Sequence, residues 1–190
     1  MDCFIGFGSL VNTSTHNYQP VSPVRVPGWS RAWINNDSYD HAFLSVIPDS
    51  QKSILGLLAV VPDGDWAELD AREAGYNRKL LSDADWQLEQ LHNGVNAAEA
   101  VSPAQVQMYV HASGQFAQPQ KPILYSYLET VLFGFYQIYG ESGIDNFLDS
   151  TTAWTAIKDD RAAPIYPRHV PPTGPASGIV EAAIGTVVQA

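Results

Sequence analysis

The chain has 190 residues, 45% of them apolar and 16% charged, a balance that supports one domain with a real core and excludes a disordered segment. Acidic residues outnumber basic ones 20 to 10, for a net charge of −10, and the cations are scattered. Nucleic acids and anionic membrane surfaces both need clustered Lys and Arg, so neither is an expected partner. One cysteine, Cys3, excludes an internal disulfide and a thiolate-rich zinc site. The opening MDCFIGFGSL has neither a basic region nor a long apolar stretch, and does not read as a signal peptide. The longest strongly apolar run, Ile54 to Val61, falls far short of the ~20 residues of a spanning helix. A soluble, cytoplasmic protein is expected.

In chain order, Asp2 to Phe7 predicts a short strand stopped by a Gly-Phe-Gly turn. Val24 to Ile34 predicts a second strand, with Pro27-Gly28 as a bend or bulge. Phe43 to Ile47 and Ile54 to Val61 are β-branched apolar runs, and Pro48-Asp49-Ser50 between them predicts a hairpin turn. Asp65-Trp66-Ala67-Glu68 resembles a capping box, opening a short helix that Gly75 stops near Ala74. Val106 to His111 makes a later strand. A longer helix runs from Ile123 to Tyr139, ends at Gly140, and is apolar around most of its circumference, hence largely buried. Ile144 to Leu148 predicts a third, short helix. Beyond Trp154 the prolines recur and predict an extended tail. Residues 1–150 therefore read as one domain and 151–190 as a Pro-rich extension packed on it. Strands first and helices later predict an α+β fold with a mixed, mostly antiparallel, barrel-like sheet and packed helices.

The five histidines, His16, His41, His92, His111 and His169, stand apart without ligand spacing, so no metal is expected. Gly6-Phe7-Gly8 begins like a dinucleotide fingerprint, but Val11 stands where the third glycine belongs. What remains is a Gly-Ser turn, either a tight turn only or a nest of N–H donors for a small anion or carboxylate. Trp66 and Leu69 mark the apolar face of the short helix, and Glu73 returns to it, while Glu68 and Arg72 point to solvent. Desolvation would raise the Glu73 pKa, which suits a general acid/base. The alternative is a helix-end glutamate paired with Arg72, Arg78 or Lys79.

Three segments together resemble a family. Ile5-Gly6-Phe7-Gly8-Ser9-Leu10-Val11 is similar to the F-G-Y-G-S-L-[IV] opening of the γ-glutamylcyclotransferase-like superfamily, with its ChaC and AIG2-like branches. Leu69-Asp70-Ala71-Arg72-Glu73-Ala74-Gly75-Tyr76-Asn77-Arg78 resembles its L-D-x-R-E-x-x-Y-x-R signature. Ser126-Tyr127-Leu128, with Val131 and Gly134-Phe135, resembles the S-Y-L-x-x-[IV]-x-x-G helix, and Gly28-Trp29-Ser30-Arg31 adds a weaker G-[YW]-x-R strand. The resemblance covers roughly residues 3 to 148.

It implies a small mixed β-barrel with packed helices, and cyclisation of a γ-glutamyl group to 5-oxoproline with release of the attached amine or amino acid. Carried over by position, Glu73 is the catalytic acid/base, Phe7, Gly8, Ser9 and Leu10 hold the glutamyl moiety, and Tyr127 is a pocket residue. No cofactor is implied, because the ring closure is intramolecular. Phe7 stands where the family has tyrosine, so a phenolic hydroxyl is lost. In the tail, outside the resemblance, Arg161 or Arg168 is a candidate clamp for a substrate carboxylate; the alternative is salt bridges to an acidic surface. Two other readings stay open: a non-catalytic ligand-binding or regulatory module on the same fold, and amide or ester chemistry on another acyl group.

Overall fold

The computed structural model describes residues 1–35, 39–90, 102–111 and 115–188. The first apolar run is buried at every position from Cys3 to Gly6, the pattern of a strand covered on both faces, and it forms the central β1 (Asp2–Gly6). β1 pairs antiparallel with β3 (Phe43–Val60) and parallel with β6 (Gln105–His111). β3 pairs in turn with β2 (Pro20–Ile34), and β4 (Tyr76–Leu81) flanks β6, both antiparallel. The short β5 (Gln87–Leu88) and β8 (Thr151–Thr152) add to β2, giving the order β4-β6-β1-β3-β2-β5. The sheet is mixed and mostly antiparallel, as expected, but no pairing among the described residues closes it into a barrel.

Among the described residues, four α-helices accompany it: α1 (Ala67–Arg72), α2 (Tyr125–Tyr139), α3 (Glu141–Asp149) and α4 (Pro175–Val188). β7 (Ile123–Leu124) precedes α2 directly and pairs parallel with β9 (Ile157–Lys158), so the predicted helix begins two residues late. The main core joins Trp33 of β2 and Leu57 of β3 to Val131 and Phe135 of α2, Phe147 of α3, and Val180 and Ile184 of α4. No helix among the described residues is long and apolar enough to cross a membrane.

Three local expectations are corrected. Pro48-Asp49-Ser50 does not reverse the chain; β3 runs on against β2, and the pairing steps from Trp29↔Pro48 to Pro27↔Ser53. The turn chemistry is present, because Asp49 accepts from the Gln51 N–H at 3.0 Å and the Ser30 hydroxyl at 2.5 Å, but it builds a bulge. Its partner strand bends at the same place, where Gly28 takes φ +80°. The tail is not extended throughout, since Pro175 opens α4, a position where a missing N–H costs nothing. Finally, α1 ends at Arg72 rather than near Ala74, and its start carries no capping box. Asp65 instead accepts from the Ala67 N–H at 2.9 Å.

Two contacts fix the turn that follows β1. At Gly134 of α2 a Cβ atom would lie 2.6 Å from the Asn12 main chain, so only glycine lets the helix touch this turn. Asn12 is fully buried there, and its Nδ2 donates to the Thr130 carbonyl at 2.9 Å. The second contact is Arg31, also fully buried, whose Nε donates to the Phe7 carbonyl at 2.8 Å. Its Nη1 donates to the Ser150 hydroxyl and its Nη2 to the Leu55 carbonyl. The guanidinium lies 4.7 Å and 4.9 Å from the ring centroids of Phe135 and Phe147. Burial lowers its pKa to about 9, which leaves it cationic at neutral pH.

Arg31→Ala removes three charge-assisted hydrogen bonds and strands two buried carbonyls. It is expected to lower the unfolding free energy by about 3–5 kcal/mol, read from urea denaturation followed by circular dichroism. Arg31→Lys, with a point charge that cannot reach three acceptors, is expected to lie between the two.

Candidate active site

Leu69 is fully buried in a second apolar cluster with Phe4, Leu10, Tyr18, Trp66 and Tyr109, and this holds α1 beside β1. Glu73 follows as the residue that caps α1, with φ −95° and ψ 32°. Its N–H donates to the Leu69 carbonyl at 2.9 Å and its carbonyl accepts from Tyr76 at 3.0 Å. Its side chain is 18% exposed. It meets the Gly6–Leu10 turn, Leu44 and three phenols, Tyr76, Tyr109 and Tyr127, around a cleft of about 40 Å³.

Larger grooves lie elsewhere, about 390 Å³ between α3 and α4 and about 470 Å³ beside Trp154. Their walls are mainly aliphatic, and their acids, Glu141 and Asp145, are exposed. Of these three openings among the described residues, the small cleft is the one that brings a desolvated carboxyl to a polar wall, which makes it the candidate site.

Burial raises the Glu73 pKa, against the opposing pull of the Arg72 guanidinium and, more weakly, Arg168. The phenols are all pushed up by burial and stay neutral. Tyr76 donates to the Leu44 carbonyl at 2.8 Å, and Tyr109 to the Asp70 carboxylate at 2.5 Å. The Ser9 main chain faces the Tyr127 oxygen and opposes part of that shift. A Cβ at Gly8 would lie 3.1 Å from that oxygen, so glycine keeps the turn open to it. His16 braces the turn from behind: its Nδ1 accepts from the Tyr18 N–H, so its Nε2 is the donor to the Leu10 carbonyl at 3.0 Å. Burial lowers the His16 pKa, consistent with this neutral form.

The structure brings together Phe7, Gly8, Ser9, Leu10, Glu73 and Tyr127. It separates the two tail arginines. Arg161 is committed to Asp159 at 2.6 Å and Glu181 at 3.5 Å, and stacks 4.5 Å over Tyr125. Arg168 is exposed and close enough to Glu73 to affect its ionisation. Two residues earlier, the Tyr166 ring meets Tyr127 edge-on at 4.9 Å.

Arg72 does not point to solvent as its helical position implied; it is 7% exposed and bonded to Glu73, Thr15 and Ser9. Tyr76 and Tyr109 were not among the expected site residues, although Tyr76 is the tyrosine of the quoted L-D-x-R-E-x-x-Y-x-R segment and Tyr109 lies in the predicted strand Val106 to His111. His92 lies outside the described residues, and the other histidines stay apart. Among the described residues no three His, Cys, Asp or Glu side chains converge as metal ligands.

No family model matches the sequence, and no curated protein is significantly similar to it. Solved structures do match. An uncharacterized protein from Homo sapiens shares the fold at a TM-score of 0.58, with 11% identity over 94% of this chain and 97% of that one. A γ-glutamyl cyclotransferase matches at a TM-score of 0.56, with 10% identity over 95% of this chain and 98% of its own. The fold is γ-glutamyl cyclotransferase-like. Identities this low establish architecture, and activity has to be argued from the site.

The raised Glu73 pKa has a consequence for stability. The folded state binds this proton more tightly than the unfolded chain, so stability is lost as pH rises through the folded value. Glu73→Gln cannot ionise, and its melting temperature at pH 8 is expected to exceed the wild type's by on the order of a few degrees. The difference should vanish below the unfolded carboxyl value of ~4.3, as a pH series of thermal melts would show.

Proposed function

We propose that this protein is a cyclotransferase that converts a small γ-glutamyl peptide or amine to 5-oxoproline and the released amine, with Glu73 as general acid/base. The observation that carries the reading is one desolvated carboxyl facing the main chain of a glycine turn in a cleft otherwise walled by neutral groups. Such a site suits a reaction whose nucleophile and electrophile lie in the same molecule and need folding together more than activation.

The substrate's α-amine attacks its own γ-carbonyl, and a C–N bond closes the five-membered ring. Glu73 takes the proton that the amine gives up. As the original amide bond breaks, the same carboxyl returns a proton to the leaving nitrogen. The Gly8–Leu10 main chain holds the glutamyl group, with Phe7 filling the space behind by packing alone. Tyr127 walls the pocket beside the reacting carbonyl. No step calls on a cofactor.

Arg168 is the tail cation in reach of the site. It makes no ion pair or hydrogen bond among the described residues, so it is available to a carboxylate on the leaving group. Arg161, already bonded to Asp159, is not offered for this role.

One observation favours the second reading, a ligand-binding module: Phe7 puts a phenyl in the turn where the family has a phenol, so that hydroxyl is missing from the cleft. The volume of about 40 Å³ is smaller than a glutamyl group, so under either reading an occupant must displace part of the wall. The two readings part at Glu73. A panel of γ-glutamyl amino acids, glutathione and γ-glutamyl amines, assayed for 5-oxoproline, is expected to show release that Glu73→Gln abolishes while binding persists. No release from any compound would sink the cyclotransferase. Arg168→Ala is expected to raise KM by about tenfold for substrates whose leaving group carries a carboxylate and to leave γ-glutamyl amines unchanged. Equal KM values for both classes would remove the clamp.

A further inference from the structure

Side chains at successive helix positions diverge, so Arg72 and Glu73 would not meet on a continuing helix. Here they do meet, at the last turn of α1, where Arg72 Nε lies 3.2 Å from Glu73 Oε1. The rest of the guanidinium is spent on the turn after β1. Nη1 donates to the Thr15 carbonyl at 3.0 Å, and Nη2 to the Thr15 hydroxyl at 3.1 Å, with the Ser9 hydroxyl at 3.5 Å. The Thr15 hydroxyl faces back to the carbonyls of Ser9 and Asn12, at 3.0 Å and 2.9 Å. Asn12 is itself pinned to α2 through Thr130 and Gly134.

We propose that Arg72 is the positioning residue of the site: its planar fork ties the Glu73 carboxyl to the Ser9–Thr15 turn and so sets the base against the main chain that holds the substrate. This rests on the reading of Glu73 as the base. An ordinary helix-end ion pair is exposed and mobile, and contributes little. This one is largely shielded from water, and only one of the Arg72 hydrogen bonds goes to the carboxylate; the others reach the segment that must be kept in register with it.

The same contact acts on the proton. The groups that influence or wall Glu73 are Arg72 on α1, Tyr76 on β4, Tyr109 on β6, Tyr127 on α2, Tyr18 after the turn, and Arg168 on the tail. The tyrosines are neutral, so Arg72 is the main cation that favours the ionised, proton-accepting form, and burial works against it. Removing its charge raises the Glu73 pKa further, and the acidic limb of kcat/KM moves to higher pH.

Three variants separate position from charge. Arg72→Met keeps the stem and loses both fork and charge. Arg72→Lys keeps the charge and loses the fork. Thr15→Val keeps Arg72 and removes one anchor. Both Arg72 variants are expected to lose about 100-fold in kcat/KM, mostly in kcat, as misplacement of a reacting group by about an ångström does. Only Arg72→Met should shift the acidic limb. Thr15→Val should lower kcat with the limb in place.

Titration of the Glu73 carboxyl carbon by NMR, assigned by its loss in Glu73→Gln, reads the same shift without an assay. A midpoint unmoved in Arg72→Met overturns the proposal, as does an Arg72→Lys enzyme with wild-type kcat. If the midpoint moves while Glu73→Gln stays active, Arg72 governs the carboxyl and the reading of Glu73 as the base fails instead. Should Arg72→Met not fold, Arg72→Lys and Thr15→Val still decide, because a merely structural role lowers melting temperature without changing the ratio of kcat to KM.

Discussion

A guanidinium held entirely out of water is the constraint on which this structure turns. Ionised side chains are almost never buried without a carboxylate partner, because desolvation costs several kcal/mol per ion. Arg31 offsets that cost with three oxygen acceptors and two aromatic faces. Ser150 caps α3, and the Arg31 main-chain N–H donates to its carbonyl at 2.6 Å, so the positive charge also meets the negative end of a helix. The acceptors come from the turn after β1, from β3 and from the end of α3. They can converge only when all three are in place, so the arginine is stable in one arrangement of the fold.

The Phe7 carbonyl is one of those acceptors, and it lies one residue before the Gly8–Leu10 turn. The turn is then held from three directions: by Arg31 at its start, by Thr130 and Gly134 of α2 through Asn12, and by Arg72 of α1 through Thr15. α2 also receives the tail along one polar row, Ser126, Glu129 and Thr130, spaced to share a helix edge. Asp160 accepts from the Ser126 N–H and hydroxyl and from the Ile165 N–H, at 2.8, 2.6 and 2.8 Å. Burial alone would raise its pKa, but these hydrogen bonds outweigh it and hold the carboxyl below its usual range. His169 meets Glu129 at 2.6 Å, and Val170 donates to the Thr130 hydroxyl at 3.0 Å. A helix read from its composition as apolar nearly all round thus carries the polar edge on which both turn and tail are mounted.

The parts legible in the sequence were those set by local pattern. The central strand, the buried helix ending at Gly140 and the Gly-Ser turn follow from apolar periodicity and glycine placement. Where two local signals competed with a distant partner, the partner won. Pro48-Asp49-Ser50 has the chemistry of a turn, yet a long β2 was available to pair on both sides of it, so it became a bulge. Helical spacing points Arg72 to solvent, but its long side chain folds over to acceptors on the Ser9–Thr15 turn, a partner distant in sequence. Tyr166 had no signal to give, because its place depends on Ser126 and Asp160 holding an irregular segment by main-chain hydrogen bonds. The spacing of Glu73 from Trp66 and Leu69 pointed to the right region, because Glu73 keeps the helical bond from its N–H to the Leu69 carbonyl even as it caps α1.

That cap position shapes the chemistry open to the carboxyl. The C-terminal end of a helix carries partial negative charge, so a carboxylate there is disfavoured even before it is buried. Burial adds to this, and the surrounding phenols supply no charge to reverse it. Arg72 supplies the main opposing charge, with a smaller share from Arg168. A general base works best when its pKa lies near the working pH, above the ordinary carboxyl value but not so high that it stays protonated. Burial favours the protonated carboxyl and Arg72 the ionised one, so the two act on Glu73 in opposite directions. The hydrogen bonds from Arg72 to Thr15 hold the cation at one distance from the carboxyl, so the same turn that faces the cleft also sets how readily Glu73 accepts a proton.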